Sequence, residues 1–391
     1  MMTIVFVSLE HWDEIWRRNQ FVCDGLLRKS VDTNILFVQP PFDNSYALRA
    51  RKLNNIRRKA AILDGGYCGR LKLFTPTKWF PNSLPIGRVC NEKQLSSQIK
   101  QGLRDLNWIA THLWINQHEA SHLLGEGIAV NTLYDITDDW TKFSGNQSQL
   151  DLIKRQDAFL CKSCDHVIVC SQQLFDDKAK FVALERLHLI PNGVHVEHYE
   201  AVADATLPVH KIAEHWTKPV LGYTGTIHGD RVDVGLVAAV AQAYPSATVA
   251  MVGPNLLDQA EQQSLDLFSN IVFSGSQPYA DLPDIMRAFD VCMVPHLVTP
   301  FTESLNPIKL WEYLAAGKPI VSTNVAGFRD YPDLVSVAVT SDDFVSLLGQ
   351  APSESYNLPA RRQQAARQHT WDQRIEAVGA LLTGTEVSHV E

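Results

Sequence analysis

The chain has 391 residues, enough for two domains, and its 45% hydrophobic and 20% charged residues are typical of an ordinary globular protein. A net charge of −8 argues against a general nucleic-acid binder, because such proteins are normally basic. Seven cysteines, an odd number, predict free thiols in a reducing cytoplasm, and no apolar run approaches the roughly 18 residues that span a bilayer.

Short apolar runs alternate with helical patterns along the whole chain. Many of these runs are continuous in Val, Ile and Leu, as in strands that are buried on both faces of a sheet. The first run has no basic segment before it and no cleavage site after it, so we interpret it as a strand and not as a signal peptide. The predicted strands are residues 4–8, 35–39, 71–75, 112–115, 133–137, 167–171, 188–191, 220–225, 247–252, 271–274, 291–294, 319–322 and 335–339.

The alternation of strands and helices occurs twice, which predicts an α/β protein with two doubly wound domains. Helical patterns such as residues 14–28 lie between the strands, and a polar stretch at 196–218 marks the changeover. The predicted segments are a first domain at 1–205, a second domain at 206–370 and a final helical segment at 371–391.

One segment of the chain is basic, although the chain as a whole has a net charge of −8. No acid lies between residues 44 and 63, and Leu48, Leu53 and Ile56 are interleaved with the cations. This spacing is compatible with an amphipathic helix, which would suit an anionic membrane surface or a lipid phosphate, and the alternative is a solvated charged face. The cations are Arg49, Arg51, Lys52, Arg57, Arg58 and Lys59.

Cys161 and Cys164 have the spacing of a metal-binding or redox motif. They lie in a helical pattern, and no second cysteine pair or histidine pair stands at zinc spacing. We therefore interpret them as small residues of a helix and predict no metal site.

The most informative segment is residues 304–323, SLNPIKLWEYLAAGKPIVST. Asn306 is a suitable N-cap, and Pro307 suits the first position of a helix. Gly317 predicts the end of that helix, with Pro319 just beyond it. The segment therefore predicts a loop, a short helix and a buried strand.

Lys309 and Glu312 lie one turn apart near the start of this helix. Free N–H groups and the positive end of the helix dipole gather there and attract phosphate. Lys309 adds a full charge, and Glu312 can accept two hydrogen bonds from a vicinal diol such as a ribose. The pair therefore suits a nucleoside diphosphate, and the alternative is a surface ion pair worth only about 0.3 kcal/mol.

This segment resembles the donor-binding motif of glycosyltransferase family 4 and its GT-B relatives, especially a subgroup written NP(L/I)KLxEYLAAGKPVVST that includes a teichuronic-acid glycosyltransferase. Further similarities are YDITDDW at 134–140, PNGV at 191–194, VLGYTGTI at 220–227 and DLPDIMRAFDVCMVP at 281–295. The resemblance implies the GT-B fold, in which two Rossmann-like domains face each other across a cleft. The first domain would bind the acceptor, the second would bind the nucleotide-sugar donor, and the final helix would pack back on the first.

The resemblance also implies how the donor is bound. Glu312 would hold the ribose, and Lys309 would contact the diphosphate. The family usually has a glutamate eight residues before the ribose glutamate, but that position is Ser304 here and Glu303 is one residue out of register. This departure leaves the donor sugar and the stereochemistry open. The other donor-binding candidates are Gly225, Thr226, Arg231, Gln277, Ser304, Asn306 and Ile308.

Two of these candidates have structural alternatives. Gly225 belongs to a glycine-containing loop after a strand, where a phosphate or sugar can approach the backbone closely, but a plain tight turn would look the same. Arg231 adds charge to the same loop, but a solvated arginine at a helix start is equally compatible with the pattern.

Candidates in the first domain also follow predicted strands. Trp12 or Trp16 could stack on an acceptor sugar, although Trp16 could instead be a core residue of the first helix, and Arg17 or Arg18 could meet an acceptor phosphate. The resemblance implies that His118 faces the donor sugar. Asp138 and Asp139 lie at a strand end, where a carboxylate could take the proton of an acceptor hydroxyl, or could instead cap a helix.

The sequence thus predicts a glycosyltransferase that moves a sugar from a UDP-, GDP- or dTDP-sugar to a hydroxyl of a glycan or lipid-linked acceptor in cell-envelope or exopolysaccharide synthesis. The resemblance favours retention of configuration, without a metal or other cofactor, in the cytoplasm or at the inner face of the membrane. Inversion with Asp138 or Asp139 as base stays open. The alternative functions are a nucleotide-sugar 2-epimerase of the same fold and a non-catalytic GT-B partner subunit.

Overall fold

The computed structural model describes residues 1–52, 54, 56–142, 146–204 and 206–385. The chain divides into two compact units. Unit 1 contains Met1–Asp13, Arg18–Ile190 and the chain from Ile375, and unit 2 contains Glu14–Arg17 and Pro191–Arg374. Ala205, the last residue of the predicted first domain, lies outside the described residues. The predicted domain limits and their acceptor and donor roles stay predictions.

Unit 1 is built around one eight-stranded sheet. Its elements are β1 (Met2–Val7), α1 (Arg18–Lys29), β2 (Thr33–Val38), β3 (Phe42–Asp43), α2 (Asn44–Arg49), β4 (Ala61–Asp64), β5 (Leu71–Thr75), β6 (Thr77–Lys78), α3 (Pro85–Asp105), β7 (His112–Ile115), β8 (Asn131–Ile136), α4 (Gln147–Ser163), β9 (His166–Val169), α5 (Gln172–Lys178) and β10 (Leu187–Leu189). The strand order is β10-β9-β8-β7-β1-β2-β5-β4, and only the pair β4 and β5 is antiparallel. The strands β3 and β6 form a separate short parallel pair.

Unit 2 contains a six-stranded parallel sheet. Its elements are α6 (Val196–Tyr199), β11 (Val220–Thr224), α7 (Val234–Ala243), β12 (Thr248–Val252), α8 (Gln259–Leu265), β13 (Ile271–Gly275), α9 (Leu282–Arg287), β14 (Val291–Val294), α10 (Ile308–Ala316), β15 (Ile320–Thr323), β16 (Ser336–Ala338), α11 (Ser341–Gln350), α12 (Leu358–Ala366) and α13 (Trp371–Thr383), the last of which continues into unit 1. The strand order is β13-β12-β11-β14-β15-β16.

The predicted strands agree with observed strands to within two residues at both ends. They are detectable from sequence because both faces are covered, so that β2, β11 and β12 are buried at every position. The pattern misses β3, β4 and β6, since their two to four residues are too short to show a periodicity. Among the described residues, no helix combines the length and the apolar character needed to cross a bilayer.

Each sheet has one topological switch point, where the chain connections change direction and ligands of open α/β sheets bind. In unit 1 it lies between β1 and β7, and in unit 2 between β11 and β14. The residues that follow these strands include Ser8 and Asn116 in unit 1, and Gly225 and His296 in unit 2. Each pair of strand ends is therefore a position where a ligand site of its own unit is expected.

The amphipathic helix expected around residues 48–59 is wrong for the described part of that segment. The helix α2 ends at Arg49, and residues 56–60 are not helical, while Leu53 and Asn55 lie outside the described residues. The Asn44 side chain donates to the backbone oxygen of Arg57 (2.8 Å) and accepts from its N–H (3.0 Å). These bonds fold the segment back on the start of α2.

Close packing in unit 2 requires a glycine at the middle of β11. A Cβ atom on Gly222 would lie 2.3 Å from the ring of Phe289. We expect Gly222→Ala to lower the free energy of unfolding by about 1–3 kcal/mol through overpacking, measured by chemical denaturation. Gly379→Ala is the control, because no described atom lies within 4 Å of its new Cβ apart from its own helix. Equal losses in both variants would contradict the packing argument.

Candidate functional site

The helix α10 begins one residue later than the sequence predicts. Pro307 is its N-cap, with φ −73° and ψ 120°, and Asn306 is not. Asn306 is instead bonded to Asn192: its side-chain oxygen accepts from the Asn192 N–H (2.9 Å), and its backbone oxygen accepts from the Asn192 amide (2.5 Å). Asn306 therefore fixes the loop before α10 and leaves the first N–H groups of the helix without a side-chain cap.

Lys309 lies in the first turn of α10 and is held by two neutral side chains. Its Nζ donates to the Tyr223 hydroxyl (2.7 Å) and lies 3.3 Å from Nε2 of His296. Nε2 of His296 lies 3.2 Å from the Tyr223 hydroxyl oxygen. The Tyr223 hydroxyl donates to the backbone oxygen of Thr226. An ammonium has three N–H donors, so this arrangement leaves one of them for a ligand.

Lys309 makes no ion pair among the residues that the structure describes. The alternative of a surface ion pair with Glu312 is therefore wrong for this structure. Burial first, and the positive charge of Arg231 second, lower the pKa of Lys309 to about 7, against the opposing effect of Glu312. A half-buried cation with neutral partners and a cationic neighbour is an anion site by its electrostatics.

Glycine at position 225 makes room for this lysine. Gly225 has φ +132°, and a Cβ atom there would lie 2.9 Å from Nζ of Lys309. A Cβ atom on Gly253 would in turn lie 2.1 Å from the backbone oxygen of Gly225. The two glycines thus bring the loop after β11 against the lysine, as a close backbone approach requires.

Arg231 and His296 complete the electrostatics of the group. The guanidinium of Arg231 lies 5.3 Å from the centre of the Phe301 ring. Burial, followed by the charges of Lys309 and Arg231, holds the pKa of His296 well below its ordinary value. His296 is therefore neutral at physiological pH and orients Lys309 without adding charge.

Glu312 is buried on α10 and is oriented by a tyrosine from α6. The Tyr199 hydroxyl donates to Oε1 of Glu312 (2.9 Å). Burial raises the pKa of Glu312 to about 7, although the Tyr199 hydrogen bond and the charge of Lys309 act in the opposite direction. The second carboxylate oxygen remains as an acceptor for a donor such as a ribose hydroxyl.

The loop before α10 holds both residues near the expected glutamate position, Ser304 and Glu303, in contacts within the protein. Ser304 is fully buried, and its hydroxyl donates to the backbone oxygen of Phe301 (2.7 Å). Glu303 pairs with Arg329, whose Nη1 donates to Oε1 (3.1 Å). Ile308 is half-buried at the start of the helix. The carboxylate next to the expected position is therefore engaged by an arginine.

Gln277 and Tyr279 lie in the segment that follows β13. The Gln277 amide donates to the backbone oxygen of Ser274 (2.7 Å), so this side chain closes its own loop. Tyr279 stacks on Trp16 with ring centres 5.6 Å apart, and its N–H donates to the backbone oxygen of Glu14. Because Glu14–Arg17 joins unit 2 through these contacts, the helix predicted from residue 14 begins at Arg18 instead.

The structure places the acceptor candidates at strand ends and loops without testing their role. Trp12 packs edge-on against Phe37 in unit 1 (5.1 Å), and the Arg17 guanidinium donates to the backbone oxygen of Ile15 (3.0 Å). His118 is half-buried, and burial lowers its pKa. Their contacts to donor or acceptor stay predictions.

Asp138 and Asp139 follow β8. Asp139 is buried, and its carboxylate accepts from the Thr141 hydroxyl (2.5 Å) and lies 3.4 Å from Nζ of Lys142. The backbone oxygen of Asp138 accepts from the Trp140 N–H. The Asp139 carboxylate thus fixes this turn, and its predicted role as a base stays a prediction.

A buried polar network at the switch point of unit 1 is a feature that the sequence analysis missed. The Asn19 amide donates to the Ser8 hydroxyl (3.0 Å) and to the side-chain oxygen of Asn116 (2.8 Å). Nearby, the buried Arg18 guanidinium pairs with the buried Asp135 carboxylate (3.1 Å). These residues support the strand ends from which a ligand site of unit 1 would be built.

Cys161 and Cys164 are core residues at the end of α4, as the sequence predicts. Both are buried, and burial raises the pKa of each thiol to about 12. The thiols therefore stay protonated and unreactive at neutral pH.

Comparisons with known proteins identify the domain that carries the Lys309 group. Residues 218–350 match the family described as glycosyl transferases group 1. The segment that holds Lys309, Glu312 and Tyr223 is therefore similar to this family. Over 257 residues, 61% of its length, the chain is also 28% identical to TuaH of Bacillus subtilis strain 168, which is named provisionally as a teichuronic acid biosynthesis glycosyltransferase. That match spans 64% of TuaH, just under two thirds of its length.

Solved structures similar to the chain show its fold. Sucrose-phosphate synthase of Thermosynechococcus elongatus has a TM-score of 0.71 at 16% identity, with 98% of this chain and 99% of that one covered. HepE of Anabaena, solved in complex with UDP, has a TM-score of 0.65 at 14% identity, with 98% and 100% covered. The fold is GT-B, and the predicted fold and family resemblance are confirmed.

Three side chains that contact Lys309 or Glu312 were not among the sequence candidates. Tyr223 is two residues before Gly225 on β11, and His296 follows β14 directly after a proline. Tyr199 follows the PNGV motif on α6. A signal existed for His296, since polar residues just beyond parallel strands are typical of ligand sites.

Proposed function

We propose that the chain is a GT-B glycosyltransferase that moves a sugar from a nucleoside-diphosphate sugar to a hydroxyl of a glycan or glycolipid acceptor. One observation carries the proposal. Lys309 is a half-buried cation without an ion pair among the described residues, at the first turn of a helix and against the Gly225 loop. That arrangement suits the diphosphate of a nucleotide sugar.

In the proposed reaction, the bond between the anomeric carbon and the diphosphate oxygen breaks. Its electron pair stays on the diphosphate, and Lys309 and the N–H groups of α10 stabilise the charge that develops there. The acceptor oxygen bonds to the anomeric carbon and loses its proton. Glu312, oriented by Tyr199, binds the ribose and so fixes the donor relative to the lysine.

We further propose retention of configuration without a metal ion, in envelope or exopolysaccharide synthesis on the cytoplasmic side of a membrane. The name of TuaH supports the role in envelope synthesis, and the seven free cysteines support the cytoplasmic side. UDP is the first nucleotide to test, because HepE was solved with it.

Asp139→Asn tests the stereochemical part of the proposal. We expect near-normal turnover, because amide and carboxylate can both accept from Thr141, whereas removing a general base costs about 100- to 10,000-fold. Turnover and the anomeric configuration of the product, followed by NMR, are the measurements. Asp138→Asn is assayed in parallel, and a large loss in either variant with an inverted product would support inversion.

Tyr199→Phe tests how Glu312 is oriented. Loss of the hydroxyl should raise the pKa of Glu312 further above its ordinary value and weaken nucleotide binding at pH 7 by about 2- to 10-fold, the effect of one hydrogen bond. Calorimetric titration measures the dissociation constant. The loss should shrink at pH 8.5, where the carboxylate is ionised in both proteins, and an equal loss at both pH values would indicate a merely structural tyrosine.

The proposed function itself is tested with nucleotides first and acceptors second. A thermal-shift titration with UDP, GDP, dTDP and ADP should show stabilisation by one of them, because a ligand of the folded state raises stability by mass action. The corresponding nucleotide sugar is then incubated with and without acceptor glycans. Epimerised donor without acceptor would favour an epimerase, and no binding at millimolar concentration would favour a non-catalytic subunit.

A further inference from the structure

Two adjacent segments of unit 1 present cations and exposed apolar side chains together. They are neighbours because β3 pairs with β6 and α2 packs against β6. We call them the basic–apolar surface. Its cations are Arg49, Arg51, Lys52, Arg57, Arg58 and Lys59, and its apolar side chains are Tyr46, Leu48, Phe80, Leu84, Ile86 and Val89.

The positive charge of this surface is uncompensated. All six cations are exposed, and none pairs with a carboxylate among the described residues. The flanking acids are engaged elsewhere, since Asp43 pairs with Lys78 (3.1 Å) and Asp64 with Lys72 (3.7 Å). The six cations therefore form a local positive patch on a chain whose net charge is −8.

Four of the apolar side chains, Phe80, Leu84, Ile86 and Val89, belong to the loop before α3 and to its first turns. The Asn91 amide donates to the backbone oxygen of Phe80 and to the side-chain oxygen of Asn82, both at 2.8 Å. Gly87 lets the first turn of α3 pack against the loop, because a Cβ atom there would lie 2.8 Å from a backbone oxygen. The packing leaves Ile86 81% exposed and Leu84 58% exposed. Clustered exposed apolar side chains of this size indicate an interaction surface.

We propose that the basic–apolar surface docks on an anionic lipid bilayer. The cations would meet lipid phosphates, and the apolar side chains would enter the headgroup region. Charge complementarity selects this occupant, since the rest of the acidic chain is repelled by an anionic membrane. An acidic polymer would satisfy the cations but would leave Ile86 and Leu84 in water.

Vesicle sedimentation with the full chain tests this proposal without donor or acceptor. Wild type should partition onto vesicles of phosphatidylcholine with 30% phosphatidylglycerol, and not onto phosphatidylcholine alone. Arg58→Glu with Lys59→Glu should lower the partition coefficient about tenfold or more, and Ile86→Ser at least about threefold. Raising the salt concentration should weaken the binding.

Matched controls separate docking from general effects of charge or apolarity. Lys154→Glu with Arg155→Glu makes the same charge change at exposed positions of α4. The strand after α4 is β9, which lies five strands away from β5, and β5 is the strand that directly precedes β6 of the basic–apolar surface. Val130→Ser removes an equally exposed apolar side chain. Both control variants should bind vesicles like wild type.

Four results would overturn the docking proposal. They are wild type bound equally to neutral vesicles, no vesicle binding at all, equal losses in the control variants, and retention on heparin without vesicle binding, which would indicate an acidic polymer. Nucleotide stabilisation is measured on every variant and should be unchanged. Failure of docking with intact nucleotide binding therefore leaves the proposed glycosyl transfer untouched.

Discussion

Replacing Lys309 by methionine is expected to lower turnover of the nucleotide sugar by about 100- to 1,000-fold, the usual effect of removing one donor to a developing oxyanion. Methionine keeps the length of the side chain and its packing against Tyr223 and Gly225, but it removes the charge. Nucleotide stabilisation in the thermal-shift titration should disappear as well, because the diphosphate loses its cation.

Misfolding is not expected to explain this loss. The pKa of Lys309 is lowered in the folded chain, so the unfolded chain binds more protons between about pH 7 and 10.5. Between these values, stability rises with pH, and at neutral pH the half-buried cation opposes folding. The free Lys309→Met protein should therefore be more stable than wild type at pH 7, as measured by chemical denaturation.

Lys218→Met is the matched control for charge. Lys218 lies just before β11, at the opposite end of that strand from Gly225, and pairs on the surface with Asp290 (2.8 Å). Such pairs contribute only about 0–1 kcal/mol, so turnover and nucleotide binding should be unchanged. Normal turnover in Lys309→Met, or an equal loss in Lys218→Met, would rule out Lys309 as the group that neutralises the leaving diphosphate.

Local rules explain why the fold could be predicted and where the prediction stops. Buried strands appear in the sequence as continuous apolar runs, and Gly317 and Pro319 mark the end of α10. Each of these elements can therefore be recognised from its own residues. Asn306 is a suitable N-cap by its residue type and position. Its side-chain oxygen instead accepts a hydrogen bond from the N–H of Asn192, 114 residues away. The long-range hydrogen bond decides the helix start, and no local pattern contains it.

The partners of Lys309 illustrate the same limit at the site. Tyr223 and His296 are 73 residues apart and meet because β11 and β14 are neighbours in the sheet. Sequence patterns predict both strands but not their adjacency. Lys309 and Glu312 can be singled out from the sequence, because a cation and a carboxylate one turn apart at a helix start have their own chemical meaning, and their contacts to a donor stay predictions.

The pH dependence of donor binding provides the second large expected effect. The groups around the site are Lys309, Glu312, Arg231, His296 and Tyr223. Lys309 and Glu312 each have a pKa of about 7, whereas burial holds the pKa of His296 well below its ordinary value and raises the pKa of Tyr223. Affinity should therefore report on the Lys309 and Glu312 pair alone.

The two groups have opposite signs. A bound diphosphate favours charged Lys309 and raises its pKa from about 7, so binding takes up a proton above pH 7 and affinity falls as pH rises. Ribose hydroxyls favour ionised Glu312 and lower its pKa from about 7, so binding releases a proton below pH 7 and affinity falls as pH drops. Affinity should be highest near pH 7 and decrease by up to about tenfold per pH unit on either side.

Calorimetric titration between pH 5.5 and 8.5 measures this profile, with a nucleotide sugar as ligand because its diphosphate does not titrate in that range. Repeating each titration in two buffers of different ionisation enthalpy gives the number of protons exchanged. Glu312→Gln should abolish the acid decrease and leave the alkaline one, and any residual binding by Lys309→Met should show the reverse. A flat profile in wild type would mean that neither group changes its protonation on binding, and the diphosphate and ribose contacts assigned to them would have to be abandoned.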